Sequence, residues 1–407
     1  MTIINTRPLR IYLDSSDYSI LSNGRKSAET SEVRAELQRL ADSGQVEFWY
    51  SAASISEMAP IKWEHGGAAA GRAACLSDLC QRHALISMNR LLTHEYACLV
   101  QGQHISEPVY SYDGNWFPDI SGIMPKPEWA SVLQSSTDLL KSQGMNRAMR
   151  RKVKETLIRH QKPRKEYLAH MSENSDVSEI IDKYPMREQD ALVLRKYLLG
   201  QATKSEAEIA FSESLRDPRW MMQWFDLHYD KMSTIQSWVR GDASKMIDVV
   251  RTAATAVSEL FERIRLAQEQ AKLLEIPCKL EKLDDAWWKS AEEGVVSNTI
   301  TKVSRVYGDV VFESLSSVSA DKFMRGFSTC IRTLFSLVRH SVGSRARKPK
   351  ESDWGDCIHS LYAPYVDIFR TDSFMASVIQ RHVDKYGVTV VGRPQNLLEA
   401  IRKRIAN

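Results

Sequence analysis

Apolar and polar positions alternate differently at the two ends of this chain and in its middle. Leu9–Leu13 (LRIYL) is a short apolar run that stops at Asp14 in the Ser/Asp-rich turn DSSD, which predicts a buried strand. Between Ala28 and Ser43, residues Val33, Leu37 and Leu40 recur at helical spacing, and Gly44 supplies the stop. Val46–Tyr50 (VEFWY) predicts a second strand. Ser54 or Ser56 is expected to cap the short helix that follows, which carries Glu57 and is limited by Pro60. Strand, helix, strand, helix is the opening of a parallel sheet. The other end has the same texture: a helix at Asp353–Tyr362, a strand at Val366–Arg370, a turn at Thr371–Asp372 and a helix at Ser373–Tyr386 stopped by Gly387. Val388–Val391 then predicts another strand, and Pro394 opens a last helix with the basic tail RKRI.

From roughly Gln103 to His340 strand signals nearly vanish and helical periodicity dominates, without a fixed-period repeat. The expected organisation is an α/β domain made of 1–102 and 341–407, interrupted by a mainly helical insertion at 103–340. Seven of the ten tryptophans lie in that insertion. Those of RDPRWMMQWFDLHYD sit at helical spacing with methionines, a pattern that reads as core rather than as a base-stacking platform.

Composition narrows the class. With 407 residues, 43% apolar and 26% charged, the chain can bury a sizeable core and is not wholly disordered. Six cysteines without a CxxC pair exclude a disulfide framework and a cysteine zinc knuckle, and point to a reducing compartment. The start MTIINTRPLRIYLDSSDYS lacks the apolar core of a signal peptide, and no uncharged apolar run is long enough to span a bilayer. A soluble, cytoplasmic protein without membrane partners is expected.

The chemistry lies in the placement of carboxylates. Asp14 ends the first strand, Glu57 belongs to the helix after the second, and Asp353 and Asp356 share one helical face. Asp367 enters a late strand and Asp372 leaves it. In an open parallel sheet ligands collect at the carboxyl ends of the strands. Acids converging there repel one another unless a cation neutralises them, and oxygen-only donors suit Mg²⁺ or Mn²⁺.

Three segments, IYLDSSDYSIL, SAASISEM and DWGDCIHSLYAPYVDIFRTDSFM, together resemble the PIN-domain nucleases. The first is similar to that family's hydrophobic strand ending in Asp, the second to its S-x-x-E helix start, and the third to its acidic helix followed by a strand and a T-x-D-like turn. The resemblance covers about 100 N-terminal and 60–70 C-terminal residues. It implies a three-layer α/β/α fold and a metal-binding quartet of Asp14, Glu57, Asp356 and Asp372. Asp353 is the alternative third ligand, Asp367 an auxiliary, and Ser15 and Thr371 supporting hydroxyls. It further implies hydrolysis of a phosphodiester by ion-activated water, leaving 5′-phosphate and 3′-hydroxyl ends. Asp17 reads as a helix cap, Cys357 as core, and His359 as partly buried or substrate-facing rather than as a metal ligand. A haloacid-dehalogenase-type phosphatase would need D-x-D, but Ser16 follows Asp14 by two residues; no phosphate loop or GxSxG elbow occurs.

Local charge adds a partner. The formal net charge is only +4, yet Lys141–His170 holds ten Lys/Arg against two Glu. Met145, Met149, Val153 and Leu157 recur every four residues there, which leaves Arg147, Arg150, Arg151, Lys152 and Lys154 on the other faces of a helix. A second basic stretch containing Arg345, Arg347 and Lys348 leads into the Asp353/Asp356 helix. Such residues are expected to hold phosphates. The sequence thus predicts an endoribonuclease, with single-stranded DNA as a second possible substrate and the insertion as a possible protein-binding element. A non-catalytic scaffold binding RNA or protein through the insertion is the alternative.

Overall fold

Strands form where apolar side chains can be buried on both sides of the backbone. In the computed structural model of the chain, Ile11, Phe48 and Ile368 on one face of the sheet and Tyr12, Trp49 and Phe369 on the other are all 0% exposed. The described residues are 7–23, 28–60, 63–103, 109–122, 124–125, 141, 144–149, 151–152, 158–159, 162–163, 176–228, 243–275, 284–307, 312, 314–343 and 346–406. They divide into two compact units, Met1–Pro118 with Tyr229–Asn407, and Asp119–His228.

The strands of the first unit are β1 (Leu9–Tyr12), β2 (Val46–Trp49), β3 (Ala84–Leu85), β4 (Tyr110–Ser111), β5 (Ile368–Arg370) and β6 (Thr389–Val391). Its helices are α1 (Ser15–Ser22), α2 (Ala28–Asp42), α3 (Ala52–Met58), α4 (Gly66–Cys80), α5 (Met88–Gln101), α6 (Ala243–Leu273), α7 (Asp285–Tyr307), α8 (Ser317–Phe323), α9 (Arg325–His340), α10 (Ser352–Ser360), α11 (Ser373–Val383) and α12 (Leu397–Ala406). The chain is mixed α/β with a four-stranded parallel sheet in the order β2-β1-β5-β6. A single parallel bridge from Tyr50 to Ala84 brings β3 beside β2. The expected strands are present and slightly shorter, and the expected helix Ser373–Tyr386 becomes α11 plus a 3₁₀ turn ended by Gly387 at φ 72°. The cap of α3 is Ser51; Ser54, one of the two expected caps, instead accepts from the Ser51 amide at the third helical position.

The middle of the chain, expected as an insertion at 103–340, is divided between the two units. Helices α6–α9 belong to the unit that contains the sheet. Cys330, Leu337 and Val338 of α9 and Val250 and Ala254 of α6 share one core with Tyr12, Trp49 and Phe369. Sequence periodicity marks these segments as helices but is blind to which surface they cover, and they cover the sheet. Glu95 of α5 fixes α9 in place: its buried carboxylate accepts from the amides of Gly326 (2.5 Å) and Phe327 (3.0 Å) and from the Tyr365 hydroxyl. A Cβ at Gly326 would overlap Leu361 O. Among the described residues no helix is long and apolar enough to cross a membrane.

The second unit contains helices at Ser178–Lys183, Glu188–Leu198, Lys204–Leu215 and Pro218–Leu227. Met221, Met222, Trp224 and Phe225 are buried there, as their spacing predicts for a core. In the basic segment, Ile158–Arg159 pairs antiparallel with Lys162–Pro163.

Candidate metal centre

The switch point of the sheet lies between β1 and β5, because the chain runs outward from β1 to β2 and returns on the other side. Tyr12 lies opposite Phe369, so continuing the register by two residues sets Asp14 opposite Thr371, next to Asp372. Both aspartates leave their strands as helix N-caps. Asp14 caps α1, accepting from the Ser16 amide and hydroxyl, and Asp17 returns a contact to the Asp14 amide at 3.2 Å. Asp372 caps α11 through the amides of Phe374 (2.7 Å) and Met375 (2.8 Å).

Glu57 reaches the same place from α3. The Ser15 hydroxyl donates to Glu57 Oε2 at 2.5 Å and lies 3.3 Å from Asp14 Oδ1, so it links the first two acids. A Cβ on Gly355 would overlap Glu57 Oε1, so glycine at this helical position is what lets the carboxylate close on α10. Asp356 follows directly. Its carboxyl is pushed up from 3.8 to about 8, first by burial, then by the charge of Asp14; His359 acts the other way, and Asp372 and Glu57 add to the rise. The acids of the expected quartet are thus near enough for their charges to act on Asp356.

His359, one turn after Asp356, completes the cluster. Ligand atoms of Asp14, Glu57 and His359 all lie within 4.8 Å of one another. Its Nδ1 is 2.6 Å from the Tyr12 hydroxyl, which also meets Ser51 Oγ (2.6 Å) and Ser54 Oγ (3.0 Å). Its Nε2 is 3.0 Å from Glu57 Oε2 but off the line that an N–H···O bond requires. Burial lowers the proton affinity of the ring, but Tyr12, Glu57 and Asp14 outweigh it and hold the imidazole well above its ordinary range. Under the cluster, Asp17 and Arg370 form a buried pair at 3.2 Å; burial raises the Asp17 carboxyl to about 7 against the pull of Arg370.

Two expected ligands lie elsewhere. Asp353 is 1% exposed, with both carboxylate oxygens held by Arg347 (2.6 and 2.7 Å) and by the Lys350 amide (2.8 Å). It anchors the segment leading into α10. Asp367 sits at the amino end of β5, clasped by Arg7 at 2.7 and 2.8 Å and by the Arg10 amide. A parallel strand carries its two ends to opposite edges of the sheet, so Asp367 is on the wrong edge. Ser15 is at the acids, and Thr371 is buried beside them.

Of the expected phosphate contacts, Arg347 is committed to Asp353 and stacks 4.0 Å over Phe374. Lys348, Arg147, Arg151 and Lys152 are exposed, whereas Arg150, Lys154 and Arg345 lie outside the described residues. His359 joins the cluster although sequence reasoning set it apart from the acids. Its signal was the D-x-x-H spacing, which puts a nitrogen donor one turn beyond Asp356 on the same face. Comparison of the chain with protein-family models, with curated proteins and with solved structures finds no match.

Proposed function

We propose that this protein is a PIN-like, metal-dependent nuclease acting on RNA, with residues 119–228 inserted as a helical element in its α/β domain. The observation that carries this reading is the convergence of Asp14, Glu57 and His359 beside Asp356 and Asp372 at the carboxyl edge of the sheet. The parallel strand order β2-β1-β5-β6 and the split of the acids across the switch point support it.

The residues present fit a dication. The carboxylates of Asp14 and Glu57 lie within 4.8 Å of each other, Gly355 leaves room for the Glu57 carboxylate, and the buried Nε2 of His359 makes no aligned hydrogen bond. Asp14 and Glu57 would hold Mg²⁺ or Mn²⁺, with Asp356 and Asp372 at its margin. When bound, such an ion supplies charge neutralisation at the phosphate and a lower pKa for water. The chain's own groups orient the site. Ser15 locks Asp14 to Glu57, Asp17 fixes the turn that presents Asp14, and Gly355 admits Glu57 against the helix of Asp356. Burial and the neighbouring acids hold the Asp356 carboxyl above the ordinary carboxylate range while no ion is present. Exposed Lys348, Arg147, Arg151 and Lys152 are of the type that binds nucleic-acid phosphates.

The test is incubation of the purified protein with mixed RNAs and with single-stranded DNA, in Mn²⁺ and in EDTA. Cleavage of RNA in Mn²⁺ is expected, abolished by EDTA and by Asp14→Asn in a protein that remains folded. Wild-type cleavage rates in folded Asp14→Asn protein would overturn the mechanism.

A further inference from the structure

An acidic cluster alone does not say which ion it takes; the ring nitrogen aimed into this one does. His359 is 3% exposed, its Nε2 makes no aligned hydrogen bond although Glu57 Oε2 lies 3.0 Å away, and that atom shares a 4.8 Å sphere with carboxylate oxygens of Asp14 and Glu57. An unsatisfied buried ring nitrogen is costly in a fold unless something else occupies its direction. The opposite face of the ring is fully engaged. Nδ1 meets the Tyr12 hydroxyl at 2.6 Å, and that hydroxyl continues to Ser51 and Ser54. The phenol also lies edge-on to the imidazole, with ring centroids 5.6 Å apart, and stacks on Phe369 at 5.3 Å. Tyr12 is 0% exposed, so it cannot swing away.

This is how proteins prepare a metal-binding histidine: one nitrogen is hydrogen-bonded to a fixed partner, which sets the tautomer and aims the other nitrogen. In the tautomer with Nδ1–H donating to the Tyr12 oxygen, the phenol hydroxyl donates to Ser51 or Ser54 and the Nε2 lone pair is directed at the acids, the form that ion binding would select over the protonated ring. We infer that His359 is a direct ligand, making Asp14, Glu57 and His359 a mixed nitrogen–oxygen site that prefers a transition-metal dication to Mg²⁺. Mg²⁺ keeps to oxygen donors and dehydrates reluctantly, whereas first-row transition ions accept imidazole readily. Asp356 and Asp372 are not part of that trio. This inference rests on the nuclease reading only for the existence of an ion site, and it can fail while that reading stands.

The test uses the full chain and has a spectroscopic readout. Protein freed of metal is loaded with Mn²⁺ and examined by electron spin echo envelope modulation, with Mn²⁺ and Mg²⁺ affinities measured by calorimetry for wild type, His359→Gln and Asp14→Asn. A directly coordinated ¹⁴N coupling is expected in the wild type. His359→Gln should lose that coupling and at least about tenfold in Mn²⁺ affinity, while Mg²⁺ affinity stays within about threefold. The wild-type spectrum needs no variant, so misfolding of His359→Gln would leave the assignment decided. Mn²⁺ binding that needs Asp14 but shows no nitrogen coupling would overturn the histidine ligand and leave the nuclease proposal intact. Absence of any Asp14-dependent Mn²⁺ binding would sink both.

Discussion

Gly355 gives the sharpest test of how the site is assembled, because its effect should change sign with one neighbouring side chain. It lies within α10 with ordinary helical backbone, where alanine is normally better than glycine by about 1 kcal/mol. Here the added Cβ meets Glu57 Oε1, so the carboxylate must retreat. Retreat breaks the 2.5 Å bond from Ser15 and the 3.0 Å approach of His359, and a hydrogen bond to a charged group is worth about 1.5–3 kcal/mol. Gly355→Ala should therefore destabilise the wild type by about 0.5–2 kcal/mol. In a Glu57→Ala background the obstacle is gone, and the same change should stabilise by about 1 kcal/mol. The four proteins of this cycle would be compared by urea denaturation in EDTA, following the transition of the sheet-containing unit. A coupling of about 1.5–3 kcal/mol between the two positions is expected. If Gly355→Ala shifts stability equally in both backgrounds, Glu57 does not close on α10 and the geometry of the site is wrong.

Three further outcomes follow from the buried charges. Burial raises the Glu95 carboxyl to about 7, so the native state holds a proton that the unfolded chain releases near 4.5. This contribution to stability is full below about 4.5 and is lost as pH rises toward 7, a fall of about 3 kcal/mol that Glu95→Gln should flatten in thermal melts between pH 4.5 and 8. Asp353→Ala leaves Arg347 without its buried partner and should cost about 3 kcal/mol of stability in chemical denaturation; a loss below 0.5 would mean the pair is not formed, ~ the value of an exposed one. Asp367→Asn should cost about 1 kcal/mol or less, since Arg7 is half exposed, and should leave Mn²⁺ affinity at the wild-type value in calorimetry.

What the sequence displayed was local. LRIYLDSSD announces strand, turn and cap within nine residues, and both the strand and the cap at Asp14 are in the structure. The same holds for VEFWY and for VDIFRTDSFM, where Asp372 ends a strand and caps a helix. What it hid was pairing. Asp353 and Asp356 are equivalent by helical spacing, and only the fold of 346–350 delivers Arg347 to one of them. Asp367 carries the same letter as Asp372, yet one strand length moves it to the far edge of the sheet and into the grip of Arg7. For His359 the D-x-x-H spacing shows the face but not the partner, since Tyr12, which meets its Nδ1, lies 347 positions away.

The same distance explains why so interrupted a chain can hold a site at all. Asp14 and Glu57 come from the first sixty residues and Asp356 and Asp372 from the last sixty, so their approach closes a loop of some three hundred. For a flexible loop each doubling of length adds only about 0.6 kcal/mol to closure, so length itself is a minor obstacle. The larger demand is rigidity, since acids that repel one another must be held together before any cation arrives. Helix α9 answers it: Cys330, Leu337 and Val338 enter the core of Tyr12 and Phe369, and its first turn is tied to Glu95 of the N-terminal half. The segment between the two halves is therefore partly a strut, and only residues 119–228 separate as a unit of their own. A change in α9 should consequently disturb the acids at a distance.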